Sequence, residues 1–270
     1  MTAGALTAAF SRQEQGRRSD LNFLLSGLLG CTPLELPLKR DLELSPGQQS
    51  LWQSYIQRLD RQEPPQYILG KAWFYGLELE VNPWVLIPRP ETEILVECAL
   101  RQIQSGARVL DIGTGSGAIA IAIKHRQPQA RVTATEISTE ALLLAERNAR
   151  RHDCRIEFVQ ADLWPQSGSV YDLIVSNPPY VSDSEYGQLE PRVRAYEPRT
   201  ALWAGSDGLD VYRRILDRAG DYLAEGGLLC LEHGATQRES ILALAAASGF
   251  ICREALNDLA GLERCLLLAQ

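Results

Sequence analysis

The run Val109-Leu110-Asp111-Ile112-Gly113-Thr114-Gly115-Ser116-Gly117-Ala118-Ile119-Ala120-Ile121 is the clearest architectural statement in this chain. An apolar strand passes into three glycines separated by small hydroxyl residues, and then into a helix-forming stretch. Glycine at these points permits positive φ and close approach of a ligand to the backbone. Free N–H groups at the start of the following helix suit the anionic end of that ligand. Taken alone the loop is ambiguous, because Gly113, Gly115 and Ala118 also satisfy the dinucleotide pattern G-x-G-x-x-G/A.

Around this run, strands and helices alternate. The periodicity predicts strands at Arg108–Ile112, Arg131–Thr135, Arg155–Val159, Tyr171–Ser176 and Leu228–Glu232. It predicts helices at Ala118–His125, Thr139–Arg151, Asp210–Leu223 and Gln237–Ala247. Such alternation indicates an α/β fold, Rossmann-like, with a mostly parallel sheet covered by helices on both faces. The last segments, Phe250–Arg253 and Arg264–Leu268, are expected to close one edge.

Upstream the pattern differs. Leu21, Leu24, Leu25, Leu28 and Leu29 recur at helical spacing, and Ser45-Pro46-Gly47-Gln48 carries a capping box with Pro at the first helical position. Residues 1–65 are therefore expected to form a small all-helical domain that presents a surface to a substrate or partner. Glu63-Pro64-Pro65 breaks the pattern. Residues 66–90 suggest a β-hairpin linker, built from Tyr67-Ile68, Trp73–Tyr75 and Leu77–Val81, and residues 91–270 form the α/β domain.

Three positions follow from where ligands bind in open sheets, outside the carboxyl ends of the strands at the switch point. Glu136 ends the second strand, where a carboxylate accepts ribose hydroxyls; a solvated acid at a strand end is the plainer alternative. Asp162-Leu163-Trp164 follows the third strand. There Asp162 could accept from a base amine, and Trp164 is either a cover for the base or a core aromatic. Asn177-Pro178-Pro179-Tyr180 follows the fourth. Two successive prolines supply no N–H and hold the preceding residues extended, which leaves a stiff corner with an amide and spare carbonyl acceptors. A dehydrogenase has no need of such a corner; an enzyme that methylates a planar NH2 group does.

Composition narrows the partners. The net charge of −7 discourages general nucleic-acid binding, and in residues 1–70 seven cations balance seven anions. Six scattered cysteines without Cys-x-x-Cys spacing, and three dispersed histidines, suggest no metal site and a reduced, cytoplasmic setting. The N-terminus lacks the pattern of a signal peptide, and no run of 18 apolar residues predicts a spanning helix.

Asp111–Gly117 followed by Asn177–Tyr180 resembles the class I methyltransferases that use S-adenosylmethionine and modify exocyclic or amide nitrogens. The chain as a whole resembles the release factor glutamine methyltransferases, the protein N5-glutamine group. That resemblance rests also on Glu63–Gly70, Leu86–Glu93, Tyr196–Arg199 and Gly208–Asp210, and it covers nearly everything from Asp20 onward. Glu136 departs from a position where aspartate is common.

The resemblance implies methyl transfer from S-adenosyl-L-methionine to the side-chain N5 of the glutamine in the Gly-Gly-Gln motif of peptide chain release factors. It implies cofactor contacts at Gly113, Thr114, Gly115, Ser116, Gly117, Glu136, Trp164 and Asn177. The substrate glutamine would be held by Asn177, Pro178, Pro179 and Tyr180, with Asn177, Pro178 and Tyr180 as the catalytic group. Phe74 is a weaker candidate for a pocket wall, and Arg89 either orients substrate or pairs with an acid. A monomer free of membrane and DNA is expected. The alternatives are a DNA adenine N6-methyltransferase, which would need a basic target-recognition region, and a non-catalytic protein that docks on translation factors.

Overall fold

A computed structural model describes residues 1–10, 13–166 and 168–270; Arg12, one of the cations counted above, lies outside them. The chain divides into two compact units, Met1–Gly70 with Pro191–Tyr196, and Lys71–Glu190 with Glu197–Gln270.

The first unit is helical. It contains α1 (Ala3–Phe10), α2 (Gln15–Leu29), α3 (Pro46–Asp60) and α4 (Pro65–Leu69), joined by a later helix at Pro191–Tyr196. Its core gathers Leu21, Leu24 and Leu25 of α2 with Trp52 and Leu59 of α3. Ser45 caps α3 through the reciprocal pairing with Gln48, as the capping-box pattern requires. Tyr67 and Ile68 are not strand residues: Pro65 starts a single helical turn that Gly70 ends at φ 70°. Proline at the first position of a helix removes only an N–H that would have no partner. The Pro-Pro pair therefore starts a turn instead of a strand.

The second unit opens with a tight hairpin, β1 (Lys71–Phe74) and β2 (Leu77–Glu80). Phe74 pairs directly with Leu77, so Tyr75 and Gly76 form a two-residue turn with φ of 51° and 79°. Positive φ at both central residues matches the twist of hairpin strands. Then come α5 (Glu93–Gln102), β3 (Arg108–Ile112), α6 (Ala118–Arg126), β4 (Arg131–Glu136), α7 (Thr139–Arg151), β5 (Glu157–Gln160) and β6 (Tyr171–Ser176). After a loop region follow α8 (Asp210–Tyr222), β7 (Leu223–Glu232), α9 (Arg238–Ala247), β8 (Ile251–Asn257) and β9 (Glu263–Ala269).

The large sheet has the order β5-β4-β3-β6-β7-β9-β8. It is parallel from β5 to β7, and β9 and β8 close the edge antiparallel. Side chains alternate across it, as the pleat demands. Val109, Leu173, Val175 and Cys230 face one core with α5, α6 and the hairpin, while Leu110, Ile174, Leu229 and Leu231 face another with α8 and α9. Ala118–Ile123 of α6 are all buried, which accounts for a helix apolar on every side.

β7 begins five residues before the predicted Leu228. Glu225-Gly226-Gly227 has the composition of a turn, yet the strand runs through it with a register shift opposite Tyr171 and Leu173. Gly226 takes φ 72°, the kind of backbone a bulge uses.

The cysteines are less dispersed than their spacing implies. Cys98, Cys230 and Cys265 meet with their sulfur atoms within 4.8 Å of one another, deep in the first core. Buried among apolar neighbours, they pack as small hydrophobic side chains. Among the described residues, no single helix is long and apolar enough to cross a membrane.

Candidate active site

The strand order reverses between β3 and β6, and these two strands bring the glycine loop and the proline corner together. Ile112 pairs with Ser176, the residue before Asn177. The Ser176 hydroxyl ties the two ends by donating to the Ile112 carbonyl at 2.9 Å. A cavity of about 500 Å³ opens at this point.

The glycine loop is organised from below by Asp111, which is fully buried. Its Oδ2 accepts from the Thr114 hydroxyl at 2.6 Å and the Ala120 N–H at 3.2 Å, and among the described residues Oδ1 has no partner. Burial pushes this carboxyl up to about 7, against the pull of those two donors; Glu136 adds to the rise. Gly113 stands at φ 71°, and a Cβ added there would meet nothing within 4 Å. The backbone is thus open to an approaching ligand. Glu136 fastens the loop from the side, accepting from Gly115 N–H and Ser138 N–H, each at 3.0 Å. A carboxylate has about four lone-pair directions, so Glu136 retains capacity for hydroxyl donors from the cavity.

Of the predicted cofactor residues, Gly113, Thr114, Gly115, Ser116, Glu136 and Asn177 line the cavity. Gly117 does not; it is the αL residue that starts α6, and a Cβ there would approach Ile121 Cδ1 at 2.9 Å. Trp164 is a second departure. It lies in the second core, stacked on Tyr222 with ring centroids 4.5 Å apart. The turn that Leu163 makes at φ 68° directs the tryptophan inward and leaves Asp162 and Leu163 on the wall. Asp162 meets Arg214 there at 2.7 Å.

At the corner Asn177 and Pro179 line the cavity; Pro178 and Tyr180 are not among its lining residues, although the Pro178 carbonyl is bonded directly to the Pro179 ring nitrogen. Asn177 donates from Nδ2 to the Thr92 hydroxyl at 3.0 Å. Among the described residues neither Asn177 Oδ1 nor the Pro178 carbonyl accepts a hydrogen bond. Tyr180 is packed against the second core, and burial drives its hydroxyl up to about 12, so it stays protonated. Its backbone is held by Leu202 and by Gln237, whose Nε2 donates to the Tyr180 carbonyl at 2.9 Å. Gly208 makes this possible: a Cβ there would sit 2.3 Å from the Tyr180 oxygen.

Phe74 lines the cavity from the hairpin. Arg89 also lines it while pairing with buried Glu197 at 2.5 Å. Three supporting residues escaped the reading of the sequence. Thr92 anchors Asn177. Asn148, buried in α7, clamps both the N–H and carbonyl of Glu80 and donates to the Ser116 carbonyl at 2.9 Å. Its spacing from Ala141 and Ala145, on the apolar stripe of α7, is the signal that could have revealed it. Glu232, at the end of β7, is 1% exposed, and among the described residues neither of its carboxylate oxygens is hydrogen-bonded.

Comparison with known proteins agrees with this architecture. Residues 90–190 match the family model described as Methyltransferase small domain, and residues 5–70 match the PrmC N-terminal domain. The chain is 43% identical over 251 residues to a release factor glutamine methyltransferase of Geobacter sulfurreducens, covering 93% of this chain and 88% of that one. It is 40% identical over 255 residues to the protein of the same name from Coxiella burnetii, covering 93% and 91%. A methyltransferase structure from Pyrococcus furiosus shares the fold, with a TM-score of 0.54 at 24% identity over 80% of this chain and 95% of that chain. With this degree of identity over nearly its full length, the chain belongs to the release factor glutamine methyltransferase family.

Proposed function

We propose that this protein methylates the side-chain N5 of the glutamine in the Gly-Gly-Gln motif of peptide chain release factors, using S-adenosylmethionine. The observation that carries the reading is the pair of unused acceptors, Asn177 Oδ1 and the Pro178 carbonyl, beside a glycine loop open to a ligand.

The residues fit the cofactor. The loop at Gly113–Ser116 offers backbone to its amino-acid end, Glu136 offers a carboxylate to ribose hydroxyls, and Asp162 and Leu163 border the base. When bound, the cofactor supplies a methyl group on a positively charged sulfur.

An amide nitrogen is a poor nucleophile because its lone pair is delocalised into the carbonyl. Asn177 Oδ1 and the Pro178 carbonyl accept the two amide hydrogens and so aim the nitrogen into the cavity. Positive charge grows on that nitrogen in the transition state, and acceptors already fixed in place stabilise it more than they stabilise the ground state. Good alignment alone is worth roughly 7–11 kcal/mol. Tyr180, protonated and packed behind the corner, keeps the acceptors from shifting. No residue is required as general base; the proton departs to water after transfer.

The reading includes a monomer acting in the cytoplasm, without membrane or DNA, in keeping with six free cysteines and the acidic net charge. The test is incubation with labelled S-adenosylmethionine and three separate acceptors: a release factor, its variant with the motif glutamine replaced, and adenine-containing DNA. Label is expected on the intact factor alone. Label on DNA overturns the proposal.

A further inference from the structure

Asn177 can serve as an acceptor only if its amide is turned the right way, and nothing in the amide's shape chooses between its two ends. Thr92 does not choose by itself, because a hydroxyl both donates and accepts. With Nδ2 toward Thr92, the hydroxyl accepts and Oδ1 faces the cavity; with the amide flipped, the hydroxyl donates and an NH2 group faces the substrate NH2.

The group that breaks this symmetry is Glu232. β7 lies beside β6, and Glu232 follows Leu231, the partner of Ser176. Thr92 and Asn177 both face this carboxylate and favour its ionised form, although neither closes a hydrogen bond to it. An ionised carboxylate accepts only. It attracts the Thr92 proton, leaving a lone pair for Asn177, and it attracts the Nδ2 end of the amide directly.

We infer that Glu232 is a positioning residue whose carboxylate, acting with Thr92, turns the Asn177 amide so that Oδ1 faces the substrate. The inference rests on the proposed role of Asn177 as acceptor for the substrate NH2 group.

Protonated Glu232 no longer imposes that orientation and can itself donate to Thr92, which frees the Thr92 proton for Asn177 Oδ1. Burial, helped by Glu91, raises this carboxyl to about 7 against the opposing pull of Thr92, Arg264 and Asn177. Tyr180, Tyr212 and Cys265 also face it and are protonated near neutral pH. The Tyr212 hydroxyl is engaged by the Glu232 backbone carbonyl at 2.7 Å. Glu232 is thus the group in this cluster that changes charge near neutrality, and turnover rises with pH through its titration.

The test compares wild type with Glu232→Gln, Thr92→Val and Thr92→Ser, each first shown to unfold cooperatively. In wild type, kcat for release factor methylation falls about tenfold from its plateau when pH drops one unit below the controlling pKa. Glu232→Gln is expected to lose that acid limb, and both Glu232→Gln and Thr92→Val to turn over about tenfold more slowly at the plateau. Thr92→Ser, which keeps the hydroxyl, is expected to turn over as wild type does. In parallel, the side-chain amide resonances of Asn177 are followed by nitrogen-15 NMR and assigned with Asn177→Ala. They should titrate in wild type and stay flat in Glu232→Gln. Unchanged kcat and acid limb in Glu232→Gln, or an Asn177 titration that persists there, overturns the inference. A wild type that labels no release factor sinks the proposed function instead, and the amide titration still decides the role of Glu232.

Discussion

Arg89 and Glu197, 108 residues apart in sequence, meet through Nη2 and Oε1 at 2.5 Å, with the glutamate side chain 1% exposed. The other Glu197 oxygen accepts the Ile87 N–H at 3.1 Å. One buried carboxylate therefore pins the Pro88-Arg89-Pro90 segment, which leads directly into Thr92 beneath Asn177. Replacing Arg89 by Met leaves that carboxylate buried without its cation. Such half-broken pairs cost about 3–5 kcal/mol. Denaturant unfolding of Arg89→Met should show a loss at the lower end of this range, because Arg89 itself is partly exposed. A variant as stable as wild type would mean that the pair is not structural.

Asn177→Ala removes an acceptor from the site and leaves the strand pairing of β6 untouched. The removal of one fixed polar group from a comparable transition-state site costs about 100- to 1000-fold in kcat. Turnover of a release factor at saturating cofactor should fall by that much while the thermal midpoint stays close to wild type.

Glu136→Ala withdraws a carboxylate expected to accept ribose hydroxyls and unfastens the N–H groups of Gly115 and Ser138. At roughly 1.5–3 kcal/mol for each charge-assisted hydrogen bond, cofactor affinity should drop at least about tenfold. Calorimetric titration with S-adenosylmethionine measures it directly. Glu136→Gln keeps one acceptor oxygen and is expected to fall between the two.

Trp164 separates a binding role from a packing role. Because it stacks on Tyr222 and does not reach the cavity, Trp164→Phe should bind cofactor within about twofold of wild type. Trp164→Ala instead should lose about 3–5 kcal/mol of stability from the cavity it creates. A large loss of affinity in the phenylalanine variant would return Trp164 to the binding site.

Asp111 makes stability depend on pH in an unusual direction. Its folded value, about 7, lies above the ordinary carboxylate range near 4, so the folded protein holds a proton that the unfolded chain has released. Its contribution is complete below about pH 4 and is lost as pH rises through 7. Asp111→Asn, which titrates in neither state, should flatten the decline of unfolding free energy between pH 5 and 8. Glu232, raised for the same reason, retains its own share of the slope in that variant.

The period of two in Leu110, Ile112 and Ile174, and the period near 3.6 in α7 and α8, were enough to place the strands and helices of the sheet domain. Local sequence carries that information because side-chain direction within a strand or helix follows from backbone geometry alone. That the glycine loop, Glu136 and Asn177 would line one cavity was legible for a related reason: each follows or ends a strand at its carboxyl end, where open sheets form their crevice. Where local signals conflicted, reading failed. Pro64-Pro65 resembles a break but starts a helical turn, and Gly226-Gly227 resembles a turn but lies within a strand that β6 holds by pairing.

Asn177-Pro178-Pro179-Tyr180 shows the boundary most clearly. Its stiffness and its supply of acceptors come from proline chemistry and belong to the chain. Which way the Asn177 amide points depends on Thr92, to which its Nδ2 donates, and by our inference on Glu232. Those residues come from distant segments and approach Asn177 only in the assembled fold. Hydrogen-bond direction and the cost of burying a carboxylate are properties of that assembled environment, and no stretch of local sequence encodes them.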